Sequence, residues 1–145
     1  MTKVISYVDG LNLYHAIDDL NRPHLKWVDL WALSQSLLRP GQQLVAVNYF
    51  SAYATWMPAR YKRHRTYVAA LKTKGVSIHL ANFKIKQQKC YTCSATWKSR
   101  EEKETDVAIA AHLVSDALRD RFDLAILITA DSDLKPAIPG LFSSD

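Results

Sequence analysis

The chain reads as an α/β protein built on an open, doubly wound parallel sheet, and three features carry that reading. Segments of strand character alternate with segments of helical periodicity, in the order βαα-βα-β-loop-αβ. Two strand segments, at residues 4–8 and 124–129, are short and almost wholly apolar, the pattern of strands covered on both faces. Both runs turn acidic at their carboxyl ends, into Asp9-Gly10 and into Asp131-Ser132-Asp133. In an open α/β sheet, loops at that edge enclose the crevice where ligands sit.

The elements follow in order. Leu13, Ile17 and Leu20 succeed the Asp9-Gly10 turn at helical spacing and predict a first helix. Asn21-Arg22-Pro23-His24 breaks that pattern. Asp29 is placed to cap a second helix through Leu30, Leu33, Leu37 and Leu38, which Pro40-Gly41 stops. The apolar and aromatic content of residues 44–50 gives a second strand, and a connection carrying Tyr53 and Trp56 follows it. Pro58 suits the first turn of a third helix, with Tyr61, His64, Val68 and Leu71 at helical spacing and Gly75 after them. Residues 76–80 alternate as a third strand. Residues 84–103 are polar, basic and cysteine-bearing, a long loop or a small β-excursion. A helix from Glu101 through Val114 and the strand at 124–129 complete the order.

There are no internal repeats or low-complexity tracts, so residues 1–145 read as one domain, large enough for a single core. After Lys135-Pro136-Ala137-Ile138 only seven residues remain, where open α/β domains usually add a helix and one more strand. Either the chain is shortened there and lacks the final C-terminal strand, or the sheet is small.

With 48% hydrophobic and 23% charged residues the composition is that of an ordinary globular protein. No run approaches the roughly 20 apolar residues of a membrane span, and the N-terminus carries no signal-peptide pattern, so a cytoplasmic location and no membrane partner are expected. The net charge of +5 is unevenly spread: eleven Lys or Arg fall between Arg60 and Arg100, with no Asp or Glu among them. A basic middle beside an acidic pocket suits a polyanion, although a basic face can also serve solubility alone.

Asp106 adds a third acidic point. It lies near the start of its helix, with Ala110, Leu113 and Ala117 at i+4, i+7 and i+11, which puts it on the apolar side. A carboxylate turned towards a core is costly unless paired or holding a metal. The other reading is an acidic first-turn residue favoured by the helix dipole. Asp-Gly after a strand is likewise an ordinary turn as well as a candidate metal or cation site.

Taken together, Asp9-Gly10-Leu11-Asn12-Leu13-Tyr14, Lys103-Glu104-Thr105-Asp106-Val107 and Thr129-Ala130-Asp131-Ser132-Asp133-Leu134 resemble the motifs of NYN domains, LabA-like members of the PIN-like ribonuclease superfamily. The likeness runs from residue 3 to about residue 138. It implies a Rossmann-like, PIN-like three-layer domain with a mainly parallel sheet of about four or five strands, and a Mg²⁺- or Mn²⁺-dependent ribonuclease acting on RNA. By matching motifs, Asp9, Asp106 and Asp131 would be the metal-binding carboxylates, Asp133 would complete the catalytic pocket, and Asn12 would be the polar partner beside Asp9. Cys90-Tyr91-Thr92-Cys93 followed by Trp97 also resembles a subgroup of the family, whereas Ala130 stands where members often carry Gly.

The chemistry suits carboxylates. Hard divalent cations take oxygen ligands and bind through a few carboxylates plus substrate phosphate. No rival set emerges: His15, His24, His64, His79 and His112 are scattered, and no glycine-rich phosphate loop is present. Cys90 and Cys93 supply half of a Zn²⁺ site, whose remaining ligands would have to come from a dimer or a distant residue such as His79. Two reduced thiols, or a redox-sensitive pair, are the other reading. Arg60, Lys62, Arg63, Arg65, Lys84, Lys86 and Lys89 could track an RNA backbone. Tyr53, Trp56, Tyr61, Tyr91 and Trp97 are interleaved with them and could stack on unpaired bases, whereas Tyr49 and Phe50 suit the core. The alternative to an enzyme is a non-catalytic RNA-binding or protein-interaction module that keeps the fold. An exposed sheet edge would favour a homodimer.

Overall fold

The computed structural model describes residues 1–101 and 104–129, apart from the side chains at 23, 84–86 and 99–101. In chain order the elements are β1 (Thr2–Asp9), α1 (Gly10–Asp19), a 3₁₀ helix (Pro23–Trp27), α2 (Leu30–Ser36), β2 (Gln42–Ala52) and α3 (Pro58–Thr73). After these come β3 (Ser77–Ala81), β4 (Lys84–Lys89), β5 (Thr96–Glu101), α4 (Glu104–Leu118) and β6 (Leu124–Ile128). Four strands form one parallel sheet in the order β3-β2-β1-β6. The α/β class and the parallel sheet expected from the alternating pattern are both present.

Strand order sets the location of the crevice. From β1 the chain steps outward to β2 and β3, then returns through α4 to place β6 on the other side of β1. The carboxyl ends of β1 and β6 therefore flank the topological switch point, where connections leave in opposite directions. Register aligns Val8 with Ile128, so Asp9 and Thr129 come next on neighbouring strands.

Each face of the sheet has its own core. Val4, Val8, Val47 and Tyr49 pack on Leu30 of α2 and on Val68 and Leu71 of α3. Ile5, Tyr7 and Phe50 face the other way, against Ile109 and Leu113 of α4 and against Phe122. The layers are also joined by buried polar pairs. Ser34 Oγ donates to Ser6 Oγ at 2.8 Å, and the Tyr7 hydroxyl donates to Asp116 Oδ2 at 2.6 Å. Burial, reinforced by that carboxylate, drives the Tyr7 hydroxyl far above its ordinary pKa and keeps it a donor.

Local signals account for the element ends. Asp29 caps α2 by accepting from Ala32 N at 3.1 Å, as its position before the leucine run requires. Pro58 occupies the first turn of α3, and Gly75 turns out of it at φ +86°. Gly10 answers a packing demand: a Cβ there would lie 2.5 Å from the Tyr49 ring and 2.9 Å from the Phe50 carbonyl. The start of α1 can thus press directly onto β2.

The basic, cysteine-bearing segment is a two-stranded antiparallel hairpin, β4–β5, separate from the main sheet. Its turn is closed by Cys90 N donating to Ala95 O and Ser94 N to Cys90 O, both at 2.8 Å. Among the described residues no helix is long and apolar enough to cross a membrane.

Candidate functional site

Asp9 closes β1 and caps α1, and only 2% of it is exposed. Its Oδ1 accepts from the Asn12 backbone N at 3.2 Å, and its Oδ2 accepts from Asn12 Nδ2 at 2.6 Å. Thr129, just past β6, donates to Oδ2 at 3.3 Å and receives Asn12 Nδ2 at 3.1 Å. Three side chains from both walls of the crevice thus form one closed network. The helix cap explains the Asn12 contacts: the fourth residue of the motif is brought back over the Asp by the first turn of α1.

The electrostatics of this network are unbalanced. Its donors are neutral, and among the described residues no cation pairs with the Asp9 carboxylate. A buried anion held by neutral dipoles favours a cation next to it. Among the described residues Oδ1 accepts a single hydrogen bond, and a carboxylate oxygen is the hard donor type that Mg²⁺ or Mn²⁺ takes. The residues present therefore fit a divalent cation in chemistry. Among the described residues no group of three His, Cys, Asp or Glu side chains is close enough to hold one by itself.

Asp106 lies in the first turn of α4 and is half-buried. The buried stripe of that helix runs through Thr105, Ile109, Leu113 and Asp116, so Asp106 sits at its margin and not at its centre. Large side chains at 109 and 113 set the rotation of the helix, and the alanines beside Asp106 have little to bury. Asp131 and Asp133, together with Ala130 and the stretch where a final strand was in question, lie outside the described residues.

Arg60, Lys62, Arg63 and Arg65 all stand on α3, where the Arg60 guanidinium covers the Tyr14 ring at 4.3 Å and that of Arg65 covers Tyr61 at 4.8 Å. Lys84, Lys86 and Lys89 are on β4, with Lys89 exposed. Tyr49 and Phe50 are core residues, 4% and 1% exposed. Tyr53 packs on Tyr61 and His64, and Trp56 edges onto Phe83. Trp97 is on a strand, not in a loop, and is half exposed; Tyr91 projects from the hairpin turn.

His79 does not complete a site with the cysteines. Its Nε2 lies 3.0 Å from Asn48 Oδ1, its ring stacks on Phe50 at 4.6 Å, and His112 packs beside it at 4.4 Å. Cys90 and Cys93 are free thiols. Backbone N–H groups of Cys93 and Thr92 aimed at the Cys90 sulfur lower its pKa.

Two features escaped the sequence reading. Thr129 opens the third motif and ends a strand, but its contact with Asp9 has no local signal beyond a hydroxyl at the carboxyl end of the neighbouring strand. The second is a cavity of about 320 Å³ between α1, the 3₁₀ helix, α3 and the end of β2. Gly10 and Ser51 bring its wall to the sheet edge, and Tyr14, Trp27, Tyr49, Arg60, Arg63, His64 and Tyr67 form much of the rest. Inside it the Tyr49 hydroxyl lies 2.9 Å from His64 Nε2. Burial, with Arg60 nearby, pushes the His64 imidazole down to about 4, and burial raises the Tyr49 hydroxyl to about 12.

No curated protein and no solved structure matches the chain. A family model described as the NYN domain matches residues 3–144. That span takes in all of the described sheet but Thr2, with both strand ends at the crevice, and NYN domains have a PIN-like nuclease fold. The α/β layers, the parallel sheet and this match agree, and the chain belongs to the NYN domain family.

Proposed function

We propose that this chain is a divalent-metal-dependent ribonuclease that hydrolyses RNA phosphodiester bonds at the carboxyl edge of its sheet. The observation that carries the proposal is the buried Asp9 carboxylate at the switch point, held by Asn12 and Thr129 and paired with no cation among the described residues. Membership of a family with a nuclease fold supports the reaction class. In this reading Asp9, Asp106 and Asp131 hold Mg²⁺ or Mn²⁺, and Asp133 completes the acidic pocket. When bound, such a cation supplies charge to the phosphate oxygens and lowers the pKa of water.

The chain's own residues do the rest. Asn12 and Thr129 fix the orientation of the Asp9 carboxylate before substrate arrives. The cations of α3 draw the polyanion towards the crevice, because no acidic residue interrupts that helix.

The test is cleavage of a mixed RNA pool with Mg²⁺ or Mn²⁺ by the wild type, Asp9→Asn and Asp131→Asn. Metal-dependent cleavage lost in both variants is the expected result. Wild type that binds RNA and never cleaves it would instead establish a non-catalytic RNA-binding module.

A further inference from the structure

The cavity between α1 and α3 has no part in the chemistry assigned to Asp9, yet its wall begins at Gly10, the next residue. Its volume of about 320 Å³ falls at the lower end of the range of small-ligand sites. The wall contains Lys26, Arg60 and Arg63 and no Asp or Glu. Lys26 is already engaged by Asp18 at 2.7 Å, and Arg60 lies over Tyr14, so Arg63 is the exposed cation at the opening. Trp27 packs perpendicular to the Tyr67 ring at 86°, and half of it stays exposed. That leaves indole surface at the cavity wall for another partner. The Tyr49–His64 pair at 2.9 Å adds polar groups to an interior of aliphatic and aromatic side chains.

An aromatic slot with a cationic rim matches the two halves of a nucleotide, a flat base and a phosphate. We infer that this cavity receives one unpaired base of a single-stranded RNA chain, stacked on Trp27, with the adjoining phosphate on Arg63. The inference rests on the RNA reading of the neighbouring crevice and deepens it. It makes the preferred substrate single-stranded near the cut, because a paired base stays within its helical stack.

The experiment measures binding of a labelled single-stranded RNA decamer by fluorescence anisotropy, in chelator so that nothing is cleaved. Matched duplex RNA and an abasic decamer are the competitors. Trp27→Ala should weaken decamer binding about tenfold, the scale of one lost base–aromatic stack, and Trp27→Phe should restore most of it. Arg63→Ala should weaken it several-fold, whereas Lys72→Ala, in the last turn of α3, should not. Thermal melts of each variant exclude loss of fold as the cause.

Equal binding of the abasic decamer, or an unaffected Trp27→Ala, would overturn the base site. A mononucleotide that binds as tightly as the decamer would overturn the assignment to an RNA chain. Wild type that cleaves RNA at the same rate as Trp27→Ala, with equal affinity, sinks the cavity assignment alone. Wild type that neither binds nor cleaves RNA sinks the reading of the crevice with it.

Discussion

Asn12 reaches back one turn of helix to Asp9 and contacts it twice, through its backbone N at 3.2 Å and through Nδ2 at 2.6 Å. The same amide touches Thr129, so one side chain links the ends of two parallel strands. Asn12→Ala should leave the fold intact and remove the 2.6 Å contact, so that the carboxylate is held less firmly, by the backbone N of residue 12 and by Thr129. On the proposed metal-dependent reading, the Mn²⁺ concentration for half-maximal RNA cleavage should rise about 10–100-fold, the usual effect of removing a residue that orients a metal ligand. A metal titration of the cleavage rate measures this; an unchanged midpoint would mean that the Asn12 side chain does not position the carboxylate.

Gly10→Ala tests the close approach of α1 to β2. The added methyl would meet the Tyr49 ring and also the Phe50 carbonyl, which is backbone and cannot turn aside. Overpacking of this kind costs about 1–3 kcal/mol. Urea unfolding should show the midpoint lowered by a corresponding amount.

Tyr7→Phe removes the donor to Asp116 without changing the packing of the ring. Among the described residues the carboxylate would keep Arg121, at 3.6 Å, and the loss should be about 1–3 kcal/mol. The readout is the difference in unfolding free energy at neutral pH. A loss below about 0.5 kcal/mol would show that water or Arg121 replaces the hydroxyl.

His64 predicts a pH dependence. Its folded pKa, about 4, lies below the ordinary 6.5, so the unfolded chain binds the extra proton first as pH falls. The stability tied to this depression is present above pH 6.5 and is lost as pH drops towards 4. In urea melts at pH 7.5, 5.5 and 4.5 the wild type should therefore lose more stability than His64→Gln, whose amide titrates nowhere in this window. Parallel losses in the two proteins would assign the acid sensitivity to other groups.

Cys90 should react before Cys93. Backbone N–H groups stabilise its thiolate although Cys93 is the more exposed of the two. Iodoacetamide at pH 7, followed by peptide mass analysis, should show Cys90 alkylated several-fold faster.

The parts of the fold that could be read in advance are those whose signals are local. The apolar runs at 4–8 and 124–129 have the composition of buried strands, and both are strands of the sheet. Asp29 and Pro58 mark helix starts through bonds or backbone angles confined to one turn. The hairpin was ambiguous because residues 84–89 mix Lys, Ile and Gln with no clear apolar face, and its strands pair only with each other. Of the site, Asp9 and Asn12 can be placed together because they stand three positions apart at a helix start. Thr129 could not, since its partner is 120 residues away. A separation of 109 residues likewise hides Asp116 from Tyr7, a residue that reads as plain core. The cavity was hidden for a similar reason: Tyr14, Trp27 and Arg63 share no spacing and meet only when α1 and α3 cover the same face.

That 120-residue separation also bears on how the protein is made. On the ribosome, β1, β2 and β3 all emerge well before β6, and each parallel pairing needs its intervening segment to be present. β1 therefore waits, one edge unpaired and its acidic end open to water, until translation has passed Thr129. The crevice is thus the last part of the described sheet that the emerging chain can complete.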